Sequence, residues 1–214
     1  LLFKYTNSKK NFFLFQNKYD YRLFLKKKII GKHQGVVLPG SGVKIEKKKQ
    51  INLNKIKNNS NFLFIGRFLA DKGFNEFLRS AIYFNKSKKK INFLAIGEID
   101  KNNPSAIDEN LLRKVKLLKI VKFIKPINNK NKIFNSSSCI IVPSYREGIS
   151  RTILEAGLRY KFVISSDVPG CKDLIKNNTT GLTFKKKNLK SLIQVIKTYR
   201  NLKVSKKKQI VKNL

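Results

Sequence analysis

Short apolar runs alternate with amphipathic stretches over most of this chain. The run at 61–66 (NFLFIG) is almost continuously apolar, a pattern typical of strands buried on both faces. Similar runs predict further strands at 91–97, 121–124, 139–142, 162–165 and 181–184. Between them, apolar residues recur at helical spacing. This spacing predicts helices at 74–82, 111–118, 131–136, 150–159, 170–176 and 189–199.

Strands that alternate with helices in this way predict an α/β fold. The fold we expect is a doubly wound parallel sheet with helices on both faces and right-handed crossovers. Ligands of such sheets bind beyond the carboxyl ends of the strands. The loops of interest therefore follow Gly66, Gly97, Ile124, Val142 and Ser165.

The first and last parts of the chain have a weaker pattern. Residues 1–44 predict two short strands (12–15 and 36–38) and a helix (20–30), which is too little for a domain. We interpret them as the end of a domain whose start is missing, which the absence of any methionine supports. The Lys-rich stretch 45–60 predicts a linker, 61–200 the main domain and 201–214 a basic tail.

The charge of the chain is strongly positive. Lys and Arg number 48 against 12 Asp and Glu, so the formal net charge is +36. Such a charge is typical of partners with phosphate groups, either nucleic acids or anionic membranes. However, the lysines are dispersed and far outnumber the arginines, whereas base reading favours arginine. We interpret most of them as solvated surface with a general attraction to anionic lipids and phosphorylated ligands.

Several kinds of site are disfavoured by the composition. No apolar run approaches the length of about 18 residues that a membrane-spanning helix needs. Cys139, Cys171 and the single His33 suit neither a disulfide framework nor a zinc site, and we expect both cysteines to pack in the core. A phosphate-binding P-loop is absent, and the sequence Gly40-Ser41-Gly42 lacks the third glycine of a dinucleotide fingerprint.

Two of the scarce acidic residues frame the predicted turn from strand to helix after Pro143. Glu147 lies in the loop and Glu155 in the following helix, with seven residues between them. Glu147 is placed to accept hydrogen bonds from sugar hydroxyls, and Glu155 to hold the vicinal hydroxyls of a ribose. The alternative is that both are solvated surface acids, and the residues alone leave it open.

The backbone between these acids suits an anion. Gly148 has no Cβ, so a ligand can approach its backbone closely. The N–H groups of Ile149, Ser150 and Arg151 open the predicted helix and favour a negatively charged group such as a diphosphate.

The loop after the first strand of the sheet adds two cations. Gly66 ends the strand, Arg67 offers a planar fork for phosphate oxygens, and Lys72 offers a point charge. Two basic residues among 48 mean little by themselves. Their position on the same edge as Glu147 predicts a diphosphate site that needs no metal.

Three stretches together resemble a known family. GRFLADKGF, PSYREGISRTILEA and SSDVPGCKDLI, in this order, resemble the C-terminal domain of glycosyltransferase family 4. Its members are retaining enzymes of the GT-B architecture, in which two Rossmann-like domains face each other across a cleft. FQNKYDYRLF and LPGSGV are similar to the end of the N-terminal domain and the entry to the linker. These motifs are most similar to those of bacterial members that build polysaccharides or lipid-linked glycans.

The resemblance implies a role for each site residue. Arg67 and Lys72 would bind the donor diphosphate and stabilise the leaving group, and Glu147 would bind the donor sugar; these are the expected catalytic residues. The expected donor-binding residues are Gly66, Gly148, Ile149, Ser150 and Glu155.

The resemblance also implies the reaction and its partners. A sugar would pass from a nucleotide-diphosphate donor, with UDP-sugars favoured, to a glycan or lipid-linked acceptor with retention and without metal or other cofactor. We expect a cytoplasmic protein with peripheral contact at the inner membrane face. Because most of the acceptor-side domain is missing, we expect the chain alone to be inactive. The sequence RYKF at 159–162 departs from the family's usual Gly and Pro, which affects the local loop.

Two other functions remain open at this point. One is a basic α/β module that binds nucleic acid, which dispersed lysines disfavour. The other is a GT-B enzyme of different chemistry, such as a sugar-nucleotide epimerase.

Overall fold

The computed structural model describes residues 8, 10–38, 40–44, 60–86, 91–100, 102–127 and 131–214. Most of the predicted linker, 45–59, lies outside these residues. The strands are β1 (Phe13–Phe15), β2 (Gly35–Val37), β3 (Asn61–Ile65), β4 (Asn92–Ile96), β5 (Val121–Ile124), β6 (Cys139–Val142), β7 (Phe162–Ser166) and β8 (Leu182–Phe184). The helices are α1 (Lys18–Lys26), α2 (Phe74–Asn85), α3 (Glu109–Leu117), α4 (Asn131–Ser136), α5 (Arg151–Gly157), α6 (Leu189–Asn201) and α7 (Val204–Asn213).

The main sheet confirms the predicted doubly wound α/β fold. Among the described residues, six strands form one parallel sheet in the order β5-β4-β3-β6-β7-β8. The chain leaves β3 towards one side of the sheet and β6 towards the other, so the strand order reverses between these two neighbours. Such a switch point leaves a crevice at the carboxyl ends of the two strands, where ligands of open α/β sheets bind.

Each face of the sheet has its own apolar core. Alternating side chains point to opposite faces of a strand, so Phe62 and Phe64 pack on one side and Leu63 on the other. Helices α2, α3, α6 and α7 cover the first face. Helices α4 and α5 cover the second. Residues buried on both faces explain the continuous apolar runs of the sequence.

The region expected to form a helix at 170–176 forms turns instead. Gly170 has a φ of +78°, which is incompatible with a right-handed helix at that residue. The hydroxyl of Thr180 then accepts a hydrogen bond from the Lys176 N–H and donates to the Leu174 carbonyl. These side-chain bonds satisfy backbone groups that a longer helix would have paired, so the helix prediction is wrong here.

The last residues form a packed helix, α7, where the sequence indicated a basic tail. Ile210 and Val211 are buried in the first core. Lys207 is also buried, and its Nζ lies 4.2 Å from the centre of the Tyr199 ring. The aliphatic stem of this lysine therefore packs like an apolar residue while its charge contacts an aromatic face.

The N-terminal segment is a small parallel unit beside the main sheet. Strand β1 pairs with β2, and the ring of Phe15 packs against Phe24 of α1. The predicted helix 20–30 is α1, which begins at Lys18 and ends at Lys26. It ends early because Lys28 adopts a left-handed conformation with a φ of +52°.

Candidate functional site

A cleft of about 320 Å³ opens at the switch point between β3 and β6. Its walls come from three parts of the chain: the ends of these two strands, the loops and helix start that follow them, and the N-terminal segment. The lining residues that the argument below uses are Gln16, Gly40, Gly66, Lys72, Ser144, Glu147 and Ile149. The cleft therefore lies where the parallel fold predicted a ligand site.

Lys72 and Glu147 meet across this cleft. The Nζ of Lys72 lies 3.0 Å from Oε1 of Glu147, and both side chains are largely shielded from solvent, at 30% and 16% exposure. The hydroxyl of Ser144 donates a second hydrogen bond to the same Oε1 at 2.6 Å. Partial burial weakens solvent screening, so the pair is stronger than a surface ion pair.

Close backbone packing fixes the two loops that carry this pair. Gly73 has a φ of +68°, and a Cβ there would overlap the carbonyl of Pro143. The N–H of Tyr145 donates to the Asp71 carbonyl at 2.7 Å. The loop after β3 and the loop after β6 are thus joined backbone to backbone, beside the side chains that face the cleft.

The side chain of Tyr145, in the loop after β6, also contacts α2, the helix that follows the loop after β3. Its hydroxyl lies 2.7 Å and 2.8 Å from the two carboxylate oxygens of Glu76 in α2. Burial and the nearby Glu76 charge raise the pKa of the Tyr145 phenol well above its ordinary value of 10. The phenol therefore stays a hydrogen-bond donor throughout the neutral range.

Cys171 lies near the loop 143–150, which follows β6 and carries Glu147 and which we call the acidic loop. It is fully buried, and burial together with the Glu147 charge raises the pKa of its thiol to about 12. Cys139 is buried in β6, and burial raises the pKa of its thiol as well. Both are protonated core residues, as predicted, and neither is activated as a nucleophile.

The structure brings most of the predicted site residues to this cleft. Gly66, Lys72, Glu147, Ile149 and Ser150 line it. Gly148 lies next to them, with its Cα covered by the side chain of Gln16.

Arg67 and Glu155 do not line the cleft. The Arg67 guanidinium is 60% exposed and pairs with Asp100 at 3.1 Å. Glu155 is half-buried on α5, and its backbone carbonyl accepts a hydrogen bond from Arg159 at 3.0 Å. Arg67 follows Gly66, which does line the cleft. The contacts of Arg67 and Glu155 with a nucleotide stay a prediction.

Sequence reasoning missed the contribution of the N-terminal segment. Gln16 and the stretch from Gly40 to Gly42 line the cleft beside the loop that leads into α5. Gly40-Ser41-Gly42 is an incomplete dinucleotide fingerprint, but it forms part of the cleft wall. Gly40 packs so closely there that an added Cβ would press against the side chain of Ile149.

Other kinds of site are not evident in the described part of the chain. There, no three or more histidine, cysteine, aspartate or glutamate side chains cluster as metal ligands would. Within the same ranges, no helix combines the length and the hydrophobicity that crossing a bilayer requires.

Two relatives of known name are similar to this chain in sequence. The capsular polysaccharide biosynthesis glycosyltransferase CapM of Staphylococcus aureus is 27% identical over 164 residues, which is 73% of this chain and 42% of that protein. The N,N'-diacetylbacillosaminyl-diphospho-undecaprenol alpha-1,3-N-acetylgalactosaminyltransferase of Campylobacter jejuni is 33% identical over 134 residues, 63% of this chain and 34% of that protein. The chain therefore spans less than half the length of these curated relatives.

Solved structures share the fold. TarM of Staphylococcus aureus superposes on 98% of this chain and 40% of its own with a TM-score of 0.79 at 15% identity. Anabaena Alr3699/HepE in complex with UDP-glucose covers 95% of this chain and 57% of its own with a TM-score of 0.76 at 16% identity. The similarity of both structures to this chain agrees with the GT-B fold that the sequence motifs indicated. The model of the family "Glycosyl transferases group 1" matches residues 44–213, and the chain belongs to that family.

Proposed function

We propose that this chain forms the donor-binding part of a retaining glycosyltransferase that takes a sugar from a nucleoside diphosphate, with UDP-sugars as the donors. The observation that carries the proposal is the Lys72–Glu147 pair in the cleft at the switch point. A cation and an acid side by side match the two ends of such a donor, which joins a diphosphate to a hydroxyl-rich sugar.

Lys72 would bind the diphosphate. Its side chain is 30% exposed, so the ammonium can exchange the Glu147 carboxylate for phosphate oxygens without leaving the cleft. Negative charge grows on the departing diphosphate as the bond to the sugar breaks, and a fixed cation stabilises that charge. Arg67, one residue beyond Gly66 of the cleft wall, would add its guanidinium after release from Asp100. This chemistry requires no metal or other cofactor.

Glu147 would bind the sugar. Both of its contacts, from Lys72 and from Ser144, are made by Oε1. Oε2 can then accept hydrogen bonds from a sugar hydroxyl. Gly148 and Ile149 would offer backbone N–H groups, and Glu155 would hold the ribose once its side chain turns towards the cleft.

The relatives support the donor and the acceptor. A solved structure of similar fold, Alr3699/HepE, binds UDP and UDP-glucose. The Campylobacter relative is named for a diphospho-undecaprenol acceptor, which is a lipid-linked saccharide. The formal charge of +36 favours contact with the anionic membrane surface in which such an acceptor resides. The chain spans less than half the length of its curated relatives, so the proposal covers the donor side alone.

A titration of the chain with UDP in the presence of EDTA tests the donor site. We expect UDP to bind, and Lys72→Met to weaken binding about tenfold, since a charge-assisted hydrogen bond is lost. Lys197→Met is the matched control: Lys197 lies on the surface of α6 and donates to Tyr83 of α2, so the substitution removes the same charge outside the cleft. Equal losses in both variants, or no binding of UDP by the unaltered chain, would contradict the proposal.

A further inference from the structure

Asn17 is a buried polar residue that joins the N-terminal segment to the acidic loop. It is 2% exposed and caps α1, where its side-chain oxygen accepts the Asp20 N–H at 2.8 Å. Its Nδ2 donates to the Gly148 carbonyl at 3.0 Å, across 131 residues of sequence, and to Asp20 Oδ2 at 3.0 Å. A cap needs only the oxygen. The amide hydrogens are thus used for something beyond capping.

Asp20 extends this contact to the other side of Glu147. Its Oδ1 accepts a hydrogen bond from the Arg146 guanidinium at 2.8 Å. The residues before and after Glu147 are therefore both held by the start of α1, while Glu147 itself turns to Lys72. We name Asn17 and Asp20 the α1 bracket.

The Gly148 peptide is closely packed at the place where the bracket binds it. A Cβ at Gly148 would overlap Oε1 of Gln16, and a Cβ at Gly170 would overlap the Gly148 carbonyl from another side. Because a trans peptide is planar, the direction of the Gly148 carbonyl fixes the opposite direction of the Ile149 N–H. Asn17 therefore sets where the Ile149 N–H points.

We propose that Asn17 is a positioning residue of the donor site: by binding the Gly148 carbonyl it orients the Ile149 N–H and holds Glu147 towards the cleft. This inference rests on the proposed function for its ligand. The contact also ties donor binding to the N-terminal segment, since any shift of α1 relative to the main sheet moves the Gly148–Ile149 peptide.

Replacing the cap while removing the donor isolates this role. Serine caps a helix about as well as asparagine but is too short and lacks the amide to reach Gly148. Asn17→Ser therefore keeps α1 capped and loses the bond to the loop. Asn17→Asp also keeps a capping oxygen, but its second oxygen faces the Asp20 carboxylate and the Gly148 carbonyl, so it repels the loop as well as releasing it. Asn188→Ser is the matched control, because Asn188 caps α6 through the Ser191 N–H.

The first readout needs no ligand. We expect the NMR order parameters of the Gly148 and Ile149 amides to fall from the rigid value of about 0.85 towards 0.6 in Asn17→Ser, and to stay unchanged in Asn188→Ser. We expect the urea midpoint of Asn17→Ser to fall, because the Gly148 carbonyl and Asp20 lose a buried donor, and that of Asn188→Ser, whose cap is exposed, to change little. A rigid, unshifted loop in Asn17→Ser and Asn17→Asp would overturn the inference.

The second readout is the dissociation constant for UDP. We expect Asn17→Ser to weaken UDP binding about tenfold, as the loss of one well-placed hydrogen bond does, and Asn188→Ser to leave it unchanged. A mobile loop with undiminished UDP affinity would overturn the positioning role. If the unaltered chain binds no UDP, the proposed donor fails, and the order parameters still decide whether Asn17 holds the loop.

Discussion

Lys72 Nζ and Glu147 Oε1 lie 3.0 Å apart, although 75 residues separate them in the sequence. One residue comes from the loop after β3 and the other from the loop after β6, on the two sides of the switch point. The charges of the two side chains compensate each other. A nucleotide that binds Lys72 must therefore replace this contact with phosphate oxygens.

The first prediction concerns Glu147→Gln. Without the carboxylate, Lys72 is no longer held, so we expect UDP to bind about threefold more tightly, in keeping with a partly exposed ion pair. UDP-glucose should lose its advantage over UDP, because the carboxylate that we propose to bind the sugar is gone. Isothermal titration with both ligands measures the two effects. The prediction is wrong if Glu147→Gln weakens UDP binding as strongly as Lys72→Met does.

Gly170 tests how tightly the acidic loop is packed. Its φ is +78°, and an added Cβ would overlap the carbonyls of Glu147 and Gly148. We expect Gly170→Ala to destabilise the protein by about 3 kcal/mol or more, from the left-handed backbone and the overlap together. Gly42→Ala is the control: its φ is +66° with open space around the Cβ, so we expect only about 1–2 kcal/mol. Urea unfolding of both compares them, and equal losses would rule out tight packing under the loop.

The Tyr145 hydroxyl stabilises the junction of the two loops. We expect Tyr145→Phe to cost about 1–2 kcal/mol, because Glu76 loses a buried donor. In Tyr83→Phe the exposed hydroxyl loses only a contact with Lys197, so the change should stay within about 0.5 kcal/mol.

Tyr145→Phe should also change how the stability of the protein depends on pH. The pKa of Tyr145 is raised in the folded protein, so its stabilisation is present below pH 10 and is lost as pH rises further. Above pH 10 we expect stability to fall more steeply in the unaltered protein than in Tyr145→Phe. Parallel pH profiles of the urea midpoint would refute this.

Lys207 predicts a stability that rises with pH, which is opposite to the effect of Tyr145. Burial lowers the pKa of this lysine below its ordinary value of 10.5, so between the two values the unfolded chain binds more protons than the folded one. We therefore expect the unaltered protein to gain stability relative to Lys207→Met as pH rises from 7 towards 10.5. Urea unfolding across this range measures the difference. Lys206→Met, at an exposed position of the same helix, should show no such trend.

The sheet could be predicted because its strands are buried on both faces. The runs at 121–124 and 139–142 coincide with β5 and β6 to the residue, and only Lys122, exposed on the edge strand β5, interrupts their apolar residues. The meeting of Lys72 with Glu147 was predictable for a similar reason: parallel strands bring their carboxyl ends to one edge. Sequence pattern places a residue in a loop but does not orient its side chain. Arg67 therefore lies in the predicted loop, but its side chain pairs with Asp100 and does not line the cleft.

Helix α7 and the α1 bracket were beyond such reasoning. In α7, Lys207 occupies a position three and four residues before the buried Ile210 and Val211, where the helical pattern calls for an apolar residue. The apolar periodicity of α7 is therefore hard to recognise in a sequence where three lysines, 206–208, stand in a row. Asn17 contacts Gly148 across 131 residues, and no local signal encodes a contact at that separation.

The central place of β3 has a consequence for synthesis on the ribosome. This strand emerges first among the six of the main sheet, yet one of its two edges can be closed only by β6, after two further strands have been translated. Until then the apolar segment NFLFI presents unpaired backbone groups to its surroundings. The nascent chain is thus most prone to self-association in this interval, when a chaperone that shields β3 would have its largest effect on yield.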